Sequence, residues 1–192
     1  MKFHYAGKYN DDPSSLQGHP HEPNYVPFKE AKDMKTLALV ANGIAVVIFI
    51  ITFIILVKVG GFGSVSIIGV VLSLLVMVPH EFLHGCCFKG DVYMYTNLSK
   101  GLLFVVGPET FSKGRFVLMS LLPNIVFGLI PYILFLINPS WGILGTFGAI
   151  SLASGAGDYY NVFNALTQMP KGARTYMNGT NSYWYMPENS TK

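Results

Sequence analysis

The chain of 192 residues is 51% hydrophobic and only 12% charged, against about 25% charged for a soluble domain. Its net charge of +3, from 13 basic and 10 acidic residues, is too small and too dispersed for a nucleic-acid partner. The two cysteines, Cys86 and Cys87, are adjacent, which excludes a disulfide framework and a CxxC zinc pair.

Residues 1–36 read as a polar tail. Asp11-Asp12-Pro13-Ser14-Ser15 has a turn or coil composition, and the late start of the first apolar run argues against a cleavable signal peptide. His19 and His21, in Gly18-His19-Pro20-His21-Glu22, read as part of a solvated, proline-rich segment rather than a metal site. Four apolar runs then reach the roughly 20 residues needed to cross a bilayer, at about 37–59, 62–87, 116–137 and 141–166. Pro79 should bend or distort the second run; Pro123 and Pro131 punctuate the third. Between the second and third runs, residues 88–115 form a loop in which 92–96 and 102–106 are β-prone and flank a turn, the pattern of a hairpin. Residues 169–192 read as a second polar tail. The fold class expected is all-α: a membrane protein of four transmembrane helices, with a short β-hairpin in the cytoplasmic middle loop.

Lysine and arginine set the orientation. The first tail carries Lys2, Lys8, Lys29, Lys32 and Lys35; the middle loop Lys89, Lys100, Lys113 and Arg115; the last tail Lys171, Arg174 and Lys192. Only Lys58 falls on the other side. With four spans this places both termini and the middle loop in the cytoplasm of a multi-pass protein of the cell membrane.

The chemistry concentrates at His80-Glu81-Phe82-Leu83-His84, an HExxH pattern at the end of the second run. On a helix it sets two imidazoles one turn apart with a carboxylate beside them, an arrangement suited to a zinc ion and the general base of a metallohydrolase. Ionisable groups inside a bilayer are costly and usually functional. Within the four runs the only acidic residues are Glu81 and Asp158, and the only histidines are His80 and His84. Asp158 is therefore the candidate third ligand. Counted from the outer ends of their runs at about 1.5 Å per residue, His80 and Asp158 lie at the same depth, roughly 24–30 Å inward. Gly145, Ala149, Ala153 and Gly157 recur every four residues and allow close helix packing. Asn161, one turn beyond Asp158, is placed to orient it, touch substrate or approach the metal.

HExxH on a membrane helix, a short cytoplasmic loop and Ser154-Gly155-Ala156-Gly157-Asp158 on a later helix together resemble a bacterial family of small integral membrane zincin peptidases. The arrangement is also similar to the site-2 class of intramembrane metalloproteases, over residues 37–168. The resemblance implies one Zn²⁺ per chain held by His80, His84 and Asp158, with Glu81 catalytic. Two departures stand out. Asp158 is followed by Tyr159 where that class has glycine. Leu122-Pro123-Asn124 lies on a different helix from the aspartate, which leaves Asn124 as a candidate to support a ligand or touch substrate. The function expected is hydrolysis of peptide bonds in membrane or membrane-proximal substrates, the partners being those substrates and the lipid bilayer. The alternative is a non-catalytic metal-binding scaffold that holds a partner helix. A metal transporter would need polar groups along the length of its spans.

Overall fold

The computed structural model describes residues 2–31 and 33–188. Lys32 and Lys192, part of the charge distribution above, lie outside the described residues. The fold is mixed α/β, which corrects the all-α expectation: seven strands in two sheets accompany seven α-helices among the described residues. The count of four spans is corrected too. Two helices, Lys35–Gly60 and Lys113–Ile137, are long and apolar enough to cross a membrane, and a third crossing is reached only if the bent pair Phe62–Leu75 and Met77–Cys86 acts as one span. The chain divides into two compact units, one of Asp33–His80 and Ser120–Tyr160, the other of Met1–Lys32, Glu81–Met119 and Asn161–Lys192.

The first of these units is helical, and three of the helices below, those at 77–86, 113–123 and 156–168, belong to it only in part. Helix α1 (Met34–Gly60) starts where the Asp33 carboxylate accepts from the amides of Lys35 and Thr36, at 3.1 and 2.9 Å, and ends at Gly61 with φ +73°. Helices α2 (Ile67–Leu75) and α3 (Met77–Cys86) meet at a bend of 45°. The bend has a chemical cause one turn away: Pro79 has no N–H to give the Leu75 carbonyl, so the ladder breaks there before resuming with His80 N–H to Val76 O at 2.8 Å. Helix α4 (Lys113–Pro123) continues through a π-helical turn (Asn124–Leu129) into α5 (Ile130–Ile137). The run expected as the fourth span divides instead into α6 (Gly142–Ser154) and α7 (Ala156–Gln168), separated at Gly155. At 13 residues α6 is too short to cross. Helix α7 carries Asp158, Asn161, Asn164 and Gln168 three or four residues apart, a polar stripe unsuited to lipid.

Helix α6 packs against α1, α2 and α5. Its small residues make this possible: a side chain at Gly145 would meet the Phe135 ring at 2.6 Å, and one at Gly148 would meet the Tyr132 backbone at 2.7 Å. Leu56, Tyr132, Phe135 and Ala149 form the core there. The small-residue stripe ends at Ala153, because Gly157 has nothing within reach of an added Cβ.

The other unit holds both sheets. Strand β3 (Val92–Asn97) pairs antiparallel with β4 (Leu102–Val106), the hairpin that the β-prone runs mark, and on its other side pairs parallel with β1 (Phe3–Lys8) from the N-terminal segment. A bulge between Tyr5 and Gly7, where Gly7 has φ +91°, adjusts the β1 register. The second sheet orders β2 (Val26–Pro27), β7 (Asn181–Tyr185), β6 (Arg174–Asn178) and β5 (Phe111–Ser112). Strands β6 and β7 join through a two-residue loop whose first position, Gly179 at φ +60°, is the one a type II′ turn reserves for glycine. Phe28, Phe88, Val92, Phe111, Phe116 and Met169 fill the main core of this unit, each large side chain contributing about 1.5–3 kcal/mol by leaving water.

Candidate metal centre

Helix α3 carries His80, Glu81 and His84 on a single stretch of backbone. One ligand atom from each lies within 4.8 Å of the others, and this is the cluster of three metal-type side chains found among the described residues. His84 is buried; His80 and Glu81 are partly so.

Each histidine is aimed by a partner. His84 Nδ1 lies 2.9 Å from the Met119 carbonyl oxygen. A carbonyl only accepts, so Nδ1 carries the proton and Nε2 is the basic nitrogen, the tautomer a metal-ligating histidine uses. That carbonyl is available because of the sequence four residues on: Pro123 cannot supply the N–H that would otherwise occupy it. His80 Nε2 lies 3.3 Å from Asp158 Oδ2. The same carboxylate oxygen accepts from Asn124 Nδ2 at 2.7 Å, while that amide also donates to the Ser120 carbonyl at 3.1 Å. Asn124 opens the π-helical turn and is buried.

The break between α6 and α7 serves this arrangement. A Cβ at Gly155 would overlap the Asn124 amide, so only glycine lets α6 end against it. Asp158 then falls in the first turn of α7, where the helix dipole favours a carboxylate. Tyr159 donates from its hydroxyl to the Leu152 carbonyl at 3.0 Å and so ties α7 back across the break. Asn161 lies one turn beyond Asp158, half-buried.

The histidine helix is braced on another side. A side chain at Gly85 would overlap the Phe3 ring, and Phe3 also lies 5.4 Å from the Phe82 ring, centroid to centroid. Strand β1 thus packs on α3. The end of α3 is clamped by Arg115, whose Nη2 donates to the Cys87 carbonyl at 2.6 Å and whose Nη1 meets Glu109 Oε1 at 2.5 Å. Glu109 Oε2 accepts in turn from the amides of Lys89 and Gly90, at 2.6 and 3.2 Å. Burial alone would raise the Glu109 pKa, but these hydrogen bonds and the guanidinium together hold it below the usual glutamate range. Sequence reasoning missed this clamp and the Phe3 brace, since both join segments far apart in the chain. The Met119 carbonyl had a local signal in Pro123.

The donor set fits zinc. Two donors bound at about 2.0–2.1 Å to one tetrahedral ion stand about 3.3–3.4 Å apart. His80 Nε2 and Asp158 Oδ2 have that separation. The metal-type group that comes together is His80, Glu81 and His84; Asp158 meets His80 and is not one of that group.

A helix-borne histidine pair with an intervening glutamate is the arrangement of the zincins. The family model described as putative zincin peptidase matches residues 73–174, more than half of the chain, and the chain belongs to that family. No curated protein and no solved structure matches it.

Proposed function

We propose that the chain is a membrane-embedded zinc metallopeptidase, with His80, His84 and Asp158 as the ligands of one Zn²⁺ and Glu81 as general base. One observation carries this reading: the carboxylate of Asp158, delivered by a separate helix, lies 3.3 Å from the first histidine of the HExxH turn. Zinc held there would lower the pKa of a water toward 7 and polarise a carbonyl. Glu81 accepts the proton of the attacking water and returns it to the leaving amine nitrogen. Asn124 holds the Asp158 carboxylate in place, and the Met119 carbonyl keeps His84 in the required tautomer.

The membrane reading is supported by the length and apolar composition of α1 and the Lys113–Ile137 helix. The excess of lysine and arginine in the polar segments over the single Lys58 supports a cytoplasmic location for those segments. A helical substrate hides its carbonyls and must be locally extended to react. Strand β3 is paired on both sides, which leaves β1 and β4 as the edges of this sheet to which such a strand could add, β4 being the edge within the hairpin. The similarity to site-2 proteases in the order of HExxH and a later aspartate agrees with this chemistry.

The test is peptidase turnover in purified Glu81→Gln protein with its zinc content measured alongside. Loss of turnover with zinc kept at one ion per chain supports the peptidase. Unchanged cellular function in Glu81→Gln identifies a non-catalytic scaffold instead.

A further inference from the structure

In the sheet-bearing unit a cavity of about 410 Å³ opens between two turns of chain. One turn, Ser112-Lys113-Gly114, leads from β5 into α4; the other, Lys171 to Arg174, leads into β6; Pro187, after β7, completes the lining. Among the described residues three cationic side chains line this cavity and no acidic one does. Arg174 is fixed beside it, its Nε donating to Thr110 Oγ1 at 2.8 Å and its Nη2 to the Thr110 carbonyl at 2.6 Å. Lys113 and Lys171 have no ion-pair partner among the described residues, so three like charges surround one space. Gly114 leaves the backbone on its side open to close approach, and the Ser112 hydroxyl adds a donor. A compact anion with several acceptor oxygens meets this set of donors.

We propose that this cavity binds a phosphate group, carried by the headgroup of an anionic lipid. Lys113 is the first residue of the membrane-length helix Lys113–Ile137, so the cavity stands at the polar end of that helix. Basic pockets at such positions take lipid headgroups. The proposal rests on the membrane reading above, and carbonate extraction of cell membranes reports on that reading separately. Release of the protein without detergent would overturn the membrane placement whatever the cavity binds.

The experiment measures binding of the purified full chain to nanodiscs of phosphatidylglycerol and of phosphatidylcholine, and separately to inorganic phosphate. Retention on phosphatidylglycerol over phosphatidylcholine is expected, with about tenfold or greater weakening in Lys113→Gln/Lys171→Gln. Lys8→Gln/Lys29→Gln removes the same charge elsewhere and should bind as wild type. Equal weakening in both double variants would reduce the effect to general surface charge and overturn the site. Inorganic phosphate that binds as tightly and displaces the lipid would overturn the headgroup as the source, leaving a free-anion site.

Discussion

Asn124→Leu removes the two hydrogen bonds that Nδ2 donates, to Asp158 Oδ2 and to the Ser120 carbonyl, while nearly conserving side-chain volume. In the wild type Asn124 Nδ2 donates to Asp158 Oδ2 at 2.7 Å. A hydrogen bond to a charged group contributes about 1.5–3 kcal/mol, and about 1.4 kcal/mol is tenfold in an equilibrium constant. Loss of the groups that hold metal ligands costs about 10–100-fold in affinity, the same range reached independently. The zinc Kd of Asn124→Leu should therefore rise by about tenfold to a hundredfold, measured by competition with a calibrated chelator. The lost bond to the buried Ser120 carbonyl should cost about 0.5–1.5 kcal/mol of stability, a modest part of the total. Asn124 Oδ1 is buried with no hydrogen-bond partner among the described residues, so leucine also removes an unsatisfied acceptor. Thermal unfolding of the metal-free protein supplies that control. A Kd within twofold of wild type, with the metal-free protein folded, would refute the role of Asn124 in placing the carboxylate.

Pro123→Ala restores an N–H that competes with His84 for the Met119 carbonyl; zinc affinity should fall by up to about tenfold while thermal stability holds or rises, and unchanged affinity would mean the proline does not set the imidazole. Gly85→Ala forces a methyl into the Phe3 ring, and overpacking of this kind costs about 1–3 kcal/mol, read as a lower denaturant midpoint. Glu109→Gln weakens the Arg115 clamp by about 1.5–3 kcal/mol near neutral pH. The wild-type Glu109 pKa is lowered on folding, so its stabilisation is present above the unfolded value and lost as pH falls through the lower folded one. The gap in unfolding midpoint between wild type and Glu109→Gln should narrow on acidification; a constant gap argues against a charged clamp.

The parts of this fold written in local pattern were legible in the sequence. Helix α1 follows from an uninterrupted apolar run, and β3 and β4 from two β-prone runs around a turn. HExxH names its own helix face, and the only other carboxylate in an apolar run is the one that the structure sets beside His80. What hydropathy alone concealed was the break at Gly155. Apolar α6 and polar-striped α7 average to one plausible span, although Asp158, Asn161, Asn164 and Gln168 already carry the stripe. The β6–β7 hairpin also had its signal, a glycine at the first of two loop positions, hidden by a tail composition that reads as coil. Strand β1 is different in kind. Its partner β3 lies about ninety residues away, with Phe3 opposite Val92, and nothing local specifies parallel pairing across that distance. The supports of the candidate site share this difficulty: the Met119 carbonyl is vacated by a local rule, but that His84 fills it is a tertiary fact.

X-ray absorption at the zinc edge, on purified protein loaded with one equivalent of metal, reads the ligand set itself. The expected spectrum has a nitrogen and oxygen shell at about 2.0–2.1 Å, the scattering signature of two imidazoles, and no sulfur near 2.3 Å. His80→Ala should lose one imidazole, and Asp158→Asn should alter the oxygen contribution. A sulfur shell from Cys86 or Cys87, or a spectrum untouched by both substitutions, would place the metal elsewhere and remove the basis for a peptidase centred on His80, His84 and Asp158.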